Sequence, residues 1–174
     1  MAEPFRSVAA LCAVLDDQRG GDVVTALAHH LQCAALLAAE RPEDVELQVA
    51  GLVHDVASSI EPRPQGDHAL VGAELVRPLL GDRVADLVAG HVRAKRYLVT
   101  VDPEYRSLLS AASTTSLHTQ GNGLSPAELA EFESSPLADE WRVLRIADDR
   151  AKVPGADVAP LDAWQPVLES LARR

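Results

Sequence analysis

The sequence predicts an all-α fold, a single-domain helical bundle, from three observations. Apolar residues make up 47% of the 174 positions and aromatics only 3%, so the core must be mostly Ala, Leu and Val, a mixture that favours helix over sheet. No segment of convincing length alternates apolar with polar residues. Short Gly/Pro/Asp stretches divide the apolar segments into helices over about 5–16, 22–40, 43–58, 68–79, 82–97, 103–119, 125–133, 138–152 and 161–172.

The first helix is a short apolar run after Glu3, closed by Asp16-Asp17 and lacking a cleavage site, which reads as a helix rather than a signal peptide. The second, DVVTALAHHLQCAALLAAE, is apolar nearly all round and so belongs at the centre. The third, VELQVAGLVHDV, ends on His54 and Asp55, and Pro62 and Pro64 make the stretch after Ser59 a loop. A Gly-Asp turn precedes His68, and DLVAGHVRAKRYL carries His91. Gly121-Asn-Gly123 separates two helices, and Ser125-Pro-Ala-Glu128 combines a capping box with Pro at the first helical position. Near the end, VLRIADDRAK carries Asp148 and Asp149.

The formal charge of −10 without a basic stripe disfavours a nucleic-acid partner, and no apolar run reaches membrane-spanning length, which implies the cytoplasm. An anionic substrate would need a local cluster of Lys or Arg. Cys12 and Cys33 lie in apolar helical patterns and read as buried free thiols, outside any metal motif.

Several polar residues do not suit apolar helices. A buried carboxylate costs several kcal/mol unless it is paired, so Asp55 needs a cation, a metal or strong donors. His29 and His30 lie about 100° apart on a helix, so at most one is expected to face a given site, and periodicity does not choose between them. The order is His, His-Asp, His, His, Asp, all on helices: His29 or His30, His54-Asp55, His68, His91 and Asp148-Asp149. Imidazoles and carboxylates suit Fe, Mn or Zn, and a carboxylate can bridge two ions. The set suffices for a dinuclear site with positions open for substrate.

The pattern resembles the HD-domain superfamily, whose metal motif is H…HD…D on a helical bundle. Within it the chain is most similar to the small HD-domain mixed-valent diiron oxygenases that cleave organophosphonates. The similarity spans about residues 19–155, through LxHxLQCA (27–34), LVHD (52–55), HxxxGAELVRPLLGD (68–82), HVRAKRYL (91–98), SAASTTSLHTQG (110–121), LSPAELAEFE (124–133) and LRIADDRAKVPG (144–155). The AKRYL and DDRAKVPG stretches are the more specific ones.

The resemblance implies that His29, His54, Asp55 and Asp148 hold one iron and Asp55, His68 and His91 the other, with Asp55 bridging and Asp149 not a ligand. It implies two iron ions, Fe(II) and Fe(III), and O2 as co-substrate. It implies an anion pocket of Lys95, Arg145, Lys152, Ser113 and Ser116, with Lys95 and Asp55 in catalytic roles. Helical spacing agrees: Lys95 is four residues after His91, and Arg145 and Lys152 stand three before and four after Asp148. The implied reaction is oxidative cleavage of a 1-hydroxyphosphonate to a carboxylic acid and phosphate. The implied partner is that small molecule, with no nucleic acid and no membrane, and the subunit number stays open.

The chain departs from the aminophosphonate-cleaving members at the substrate's far end. Ser58 stands where they carry a histidine one turn after the HD pair, and Arg19 and Asp22 where they carry Tyr and Glu. The alternatives are an HD-type metal-dependent phosphohydrolase acting on a nucleotide or phosphoester, and a non-catalytic HD-fold binding protein.

Overall fold

The computed structural model describes residues 3–16, 18, 23–60 and 68–172. Its elements are α1 (Val8–Leu15), α2 (Ala26–Glu40), α3 (Val45–Val53), α4 (Val56–Ile60), α5 (His68–Leu80), α6 (Asp82–Val101), α7 (Pro103–Leu108), α8 (Ala111–Thr119), α9 (Pro126–Glu133), α10 (Ala138–Arg150) and α11 (Leu161–Ala172). Among the described residues there is no β-strand, so the fold is all-α as predicted. No described helix is long and apolar enough to cross a membrane.

Side-chain caps start many of the helices. Ser7, Thr25, Asp44, Asp102 and Ser110 each accept a first-turn amide, and Ser125 and Glu128 form the expected capping box. The central layer is α3 and α6, flanked by α2, α5 and α10. Every α3 residue from Leu47 to Val53 is buried, and apolar contact continues through Leu11, Leu37, Leu87, Leu144 and Leu168. Two glycines permit the close approaches. A β-carbon on Gly51 would run into Leu37 Cδ1, so α3 settles on α2 only without one. A β-carbon on Gly90 would collide with the Trp141 indole, whose Nε1 donates to Asp86 O at 2.9 Å. Phe132 stacks on Tyr97 with centroids 4.4 Å apart, which docks α9 against α6.

Two predicted helices prove to be pairs. The 43–58 segment breaks at His54-Asp55 into α3 and α4. His54 itself keeps helical dihedrals at the break (φ −56°, ψ −33°). The 103–119 segment breaks where Leu109 turns extended, freeing Ser110 to cap α8. The 138–152 helix stops at Arg150, so Lys152 leaves the helical register its spacing implied. The predicted 22–40 helix begins at Ala26, and the 82–97 helix continues to Val101.

Candidate metal centre

Four elements and one turn deliver the predicted ligands to one place. α2 supplies His29, the α3–α4 turn His54 and Asp55, α5 opens on His68, α6 carries His91 and α10 carries Asp148. His29 Nε2 lies 3.3 Å from His54 Nε2 and 3.3 Å from Asp148 Oδ1, and His54 Nε2 lies 3.7 Å from Asp148 Oδ1. Asp55 faces two ways. Its Oδ2 lies 3.7 Å from His54 Nε2, while Oδ1 lies 3.2 Å from His68 Nε2 and 3.8 Å from His91 Nε2. His29, His54 and Asp55 form one group able to hold a metal, and Asp55, His68 and His91 a second, sharing Asp55.

Donor chemistry fits metal ions. The Nδ1–H groups of His29, His54 and His91 donate to the carbonyls of Ala151 (2.8 Å), Gly51 (2.8 Å) and Val88 (2.7 Å). A carbonyl only accepts, so in each neutral ring Nε2 carries the lone pair. With both rings neutral, His29 and His54 would aim lone pairs at each other across 3.3 Å, an arrangement that a shared cation, a metal ion or a proton on His54, resolves. His91 is pushed down to about 3 by burial and by the His68 and His54 rings beside it, so it is neutral and ready to ligate. Burial alone would raise the carboxyls of Asp55 and Asp148. For Asp55 the His54 and His68 rings, and for Asp148 Arg145 and His54, hold them well below the usual range, as charged ligands. Burial pushes His54 down, but Asp55, Cys33 and Asp148 outweigh it and draw a proton onto the ring that a metal would displace.

A cavity of about 1010 Å³ lies over both groups. Its wall includes every predicted substrate residue among the described ones: Ser58, Lys95, Ser113, Ser116, Arg145 and Lys152. Asp22 and Arg19 lie outside the described residues. Lys95 is only 2% exposed and donates to Ser116 Oγ at 2.7 Å; burial, then the charge of Arg145, pushes it down to about 8. Lys152 reaches the same helix by another route. It follows the end of α10, with Nζ 3.5 Å from Ser113 Oγ. α8 directs its N-terminal turn at the cavity, where Ser110, Ala111 and Ala112 line the wall and first-turn amides lack intrahelical acceptors. The result is a positive, donor-rich corner in an acidic protein.

Arg145 is in the wall, but its guanidinium is committed. Nη1 lies 2.6 Å from Asp148 Oδ2, while Nε (3.0 Å) and Nη2 engage the two oxygens of Asp149. The Nε–Nη2 edge, the one suited to bidentate pairing with an anion, thus holds a carboxylate. Tyr105, which carried no signal in sequence, donates from its hydroxyl to Asp149 Oδ2 at 2.5 Å across 44 positions of chain. His30 also lines the cavity, but it is His29 that falls in a group able to hold a metal. His118 is exposed and away from the centre, and Cys12 is half-buried rather than buried.

Residues 5–151 match the HD-domain family. Hydroxymethylphosphonate dioxygenase of Gimesia maris is 37% identical over 156 residues, 84% of this chain and 77% of the relative. An uncharacterized protein of Acanthamoeba polyphaga mimivirus is 36% identical over 149 residues, 80% of this chain and 68% of the relative. The glycine-betaine-forming 1-hydroxy-2-(trimethylamino)ethylphosphonate dioxygenase of Leisingera caerulea is 33% identical over 157 residues, 86% of this chain and 79% of the relative. The helices that converge on Asp55 thus lie within a match covering most of the sequence, and this chain belongs to the HD-domain family of enzymes.

Proposed function

We propose that this chain is a non-haem diiron oxygenase that uses O2 to cleave the C–P bond of a 1-hydroxyphosphonate. The observation that carries the reading is one cavity holding two His/Asp groups joined through Asp55 and, beside them, the Lys95–Lys152–α8 corner. Two relatives named as phosphonate dioxygenases favour oxidation over hydrolysis. The balance is R–CH(OH)–PO3H2 with O2 giving R–COOH and H3PO4. The C–H and C–P bonds break, C1 gives up four electrons, and O2 accepts them.

Two irons, one ferrous and one ferric, held by His29, His54, Asp55 and Asp148 and by Asp55, His68 and His91, would supply O2 reduction and Lewis acidity. The chain's own residues do the rest. The ammonium groups of Lys95 and Lys152 neutralise the phosphonate, and the hydroxyls of Ser113 and Ser116 fix its rotation. Arg145 lines the same cavity and carries its positive charge beside them. Ser58, in the cavity wall, belongs to the far end of the substrate.

The test is anaerobic loading with iron, then parallel measurement of O2 uptake and phosphate release across 1-hydroxyphosphonates. One O2 consumed per phosphate supports the reading. Hydrolysis of a nucleotide or phosphoester without O2 would support a phosphohydrolase instead.

A further inference from the structure

We propose that Asp149 and Tyr105 are positioning residues: they hold Arg145 so that it takes one oxygen of Asp148 and leaves the other, Oδ1, for a metal. The inference rests on the two-metal reading of the centre. Arginine and carboxylate pair most strongly through two parallel hydrogen bonds. In this centre the Nε–Nη2 edge of Arg145 is occupied by Asp149, so Arg145 reaches Asp148 through Nη1 alone, on Oδ2 at 2.6 Å. Asp148 Oδ1 thereby stays 3.3 Å from His29 Nε2 and 3.7 Å from His54 Nε2. Tyr105, from α7, completes the arrangement. Its hydroxyl donates to Asp149 Oδ2 at 2.5 Å and accepts from Arg145 Nε at 3.2 Å, so the carboxylate cannot swing out to solvent.

Burial makes the geometry consequential. The side chains of Arg145 and Asp148 are 5% and 8% exposed, and that of Asp149 21%. Without Asp149, the guanidinium has Asp148 as its remaining carboxylate and draws it into a two-bond pair, pulling Oδ1 from the histidines. The cost falls on the ion at His29, His54 and Asp148, while His68 and His91 have no part in the network.

The experiment is Co(II) titration of the metal-free protein, followed by visible absorption and metal counting, in wild type, Asp149→Asn, Tyr105→Phe and Asp149→Glu. Each is repeated in a His68→Ala background, which isolates the His29/His54/Asp148 ion. Losing an outer partner of a ligand costs about 10–100-fold in affinity. Asp149→Asn is expected to weaken that one ion about tenfold or more and change its absorption. Tyr105→Phe weakens the same ion less, and Asp149→Glu restores it. The second ion and the thermal midpoint of the metal-free protein stay at wild-type values. Wild-type binding of that ion in both Asp149→Asn and Tyr105→Phe would overturn the proposal. So would equal weakening of both ions with a lowered midpoint, the mark of a structural role. Saturation of wild type at a single Co(II) would sink the two-metal reading alone, because the ratio of variant to wild-type affinity still decides the positioning role.

Discussion

Asp55 turns Oδ1 toward His68 Nε2 at 3.2 Å, and its other oxygen stays on the side of His54. One carboxylate therefore belongs to both halves of the centre. Asp55→Ala is expected to abolish binding of both ions, whereas His68→Ala loses one. Metal analysis after anaerobic loading reads the outcome. Two tightly bound ions in Asp55→Ala would remove Asp55 as the bridge.

The lysine corner separates substrate binding from metal binding. Lys95→Ala is expected to keep its iron and to lose about 2–5 kcal/mol of anion binding, seen as a rise of more than about tenfold in KM or Kd. Lys152→Ala shifts in the same direction. Arg145→Ala differs, because it also frees Asp148 Oδ2, so its iron content falls as well. Unchanged kinetics in both lysine variants would remove them from the anion site.

Lys95 also sets a pH limit. Burial and Arg145 bring it down to about 8, and the ammonium form is the one that attracts an anion. As pH rises through that value the charge is lost, so kcat/KM is expected to fall on the alkaline side. Lys95→Arg, charged throughout this range, should remove the alkaline limb even if its rate is lower. An identical limb in Lys95→Arg would assign the titration to another group.

Ser58 lines the cavity and offers a short neutral hydroxyl where the aminophosphonate-cleaving pattern has a histidine. The preferred substrate is therefore expected to be a 1-hydroxyphosphonate whose other end is smaller, uncharged or alkylated rather than a primary amine. Competing hydroxymethyl-, 1-hydroxyethyl-, N-methylated and 2-amino-1-hydroxyethylphosphonate under air decides it. Clear preference for the primary amine would refute the expectation.

Gly90 tests the frame that carries His91. Gly90→Ala puts a methyl group into the Trp141 indole and is expected to destabilise by about 1–3 kcal/mol through overpacking between α6 and α10. Chemical denaturation measures the change. A variant as stable as wild type would show that the indole moves aside freely.

Much of the site was legible because ligand chemistry is residue-specific. His54-Asp55 in an apolar helix had no cheap structural explanation, and the later histidines and Asp148 arrived in a matching order. Tyr105 was harder. It meets Asp149 across 44 positions of chain, a contact that leaves no local pattern.

The sequence by itself determined the helical class, the Ser125–Glu128 capping box, and which side chains are candidates to bind a metal or an anion, because these follow from short-range propensity and from side-chain chemistry. Only the tertiary structure decided the rest. Asp55 meets His68 and His91, Lys152 joins the pocket beyond the end of α10 and reaches Ser113, and Tyr105 holds Asp149 across 44 positions. These contacts join groups far apart in the chain, and they are settled where packing brings the groups together.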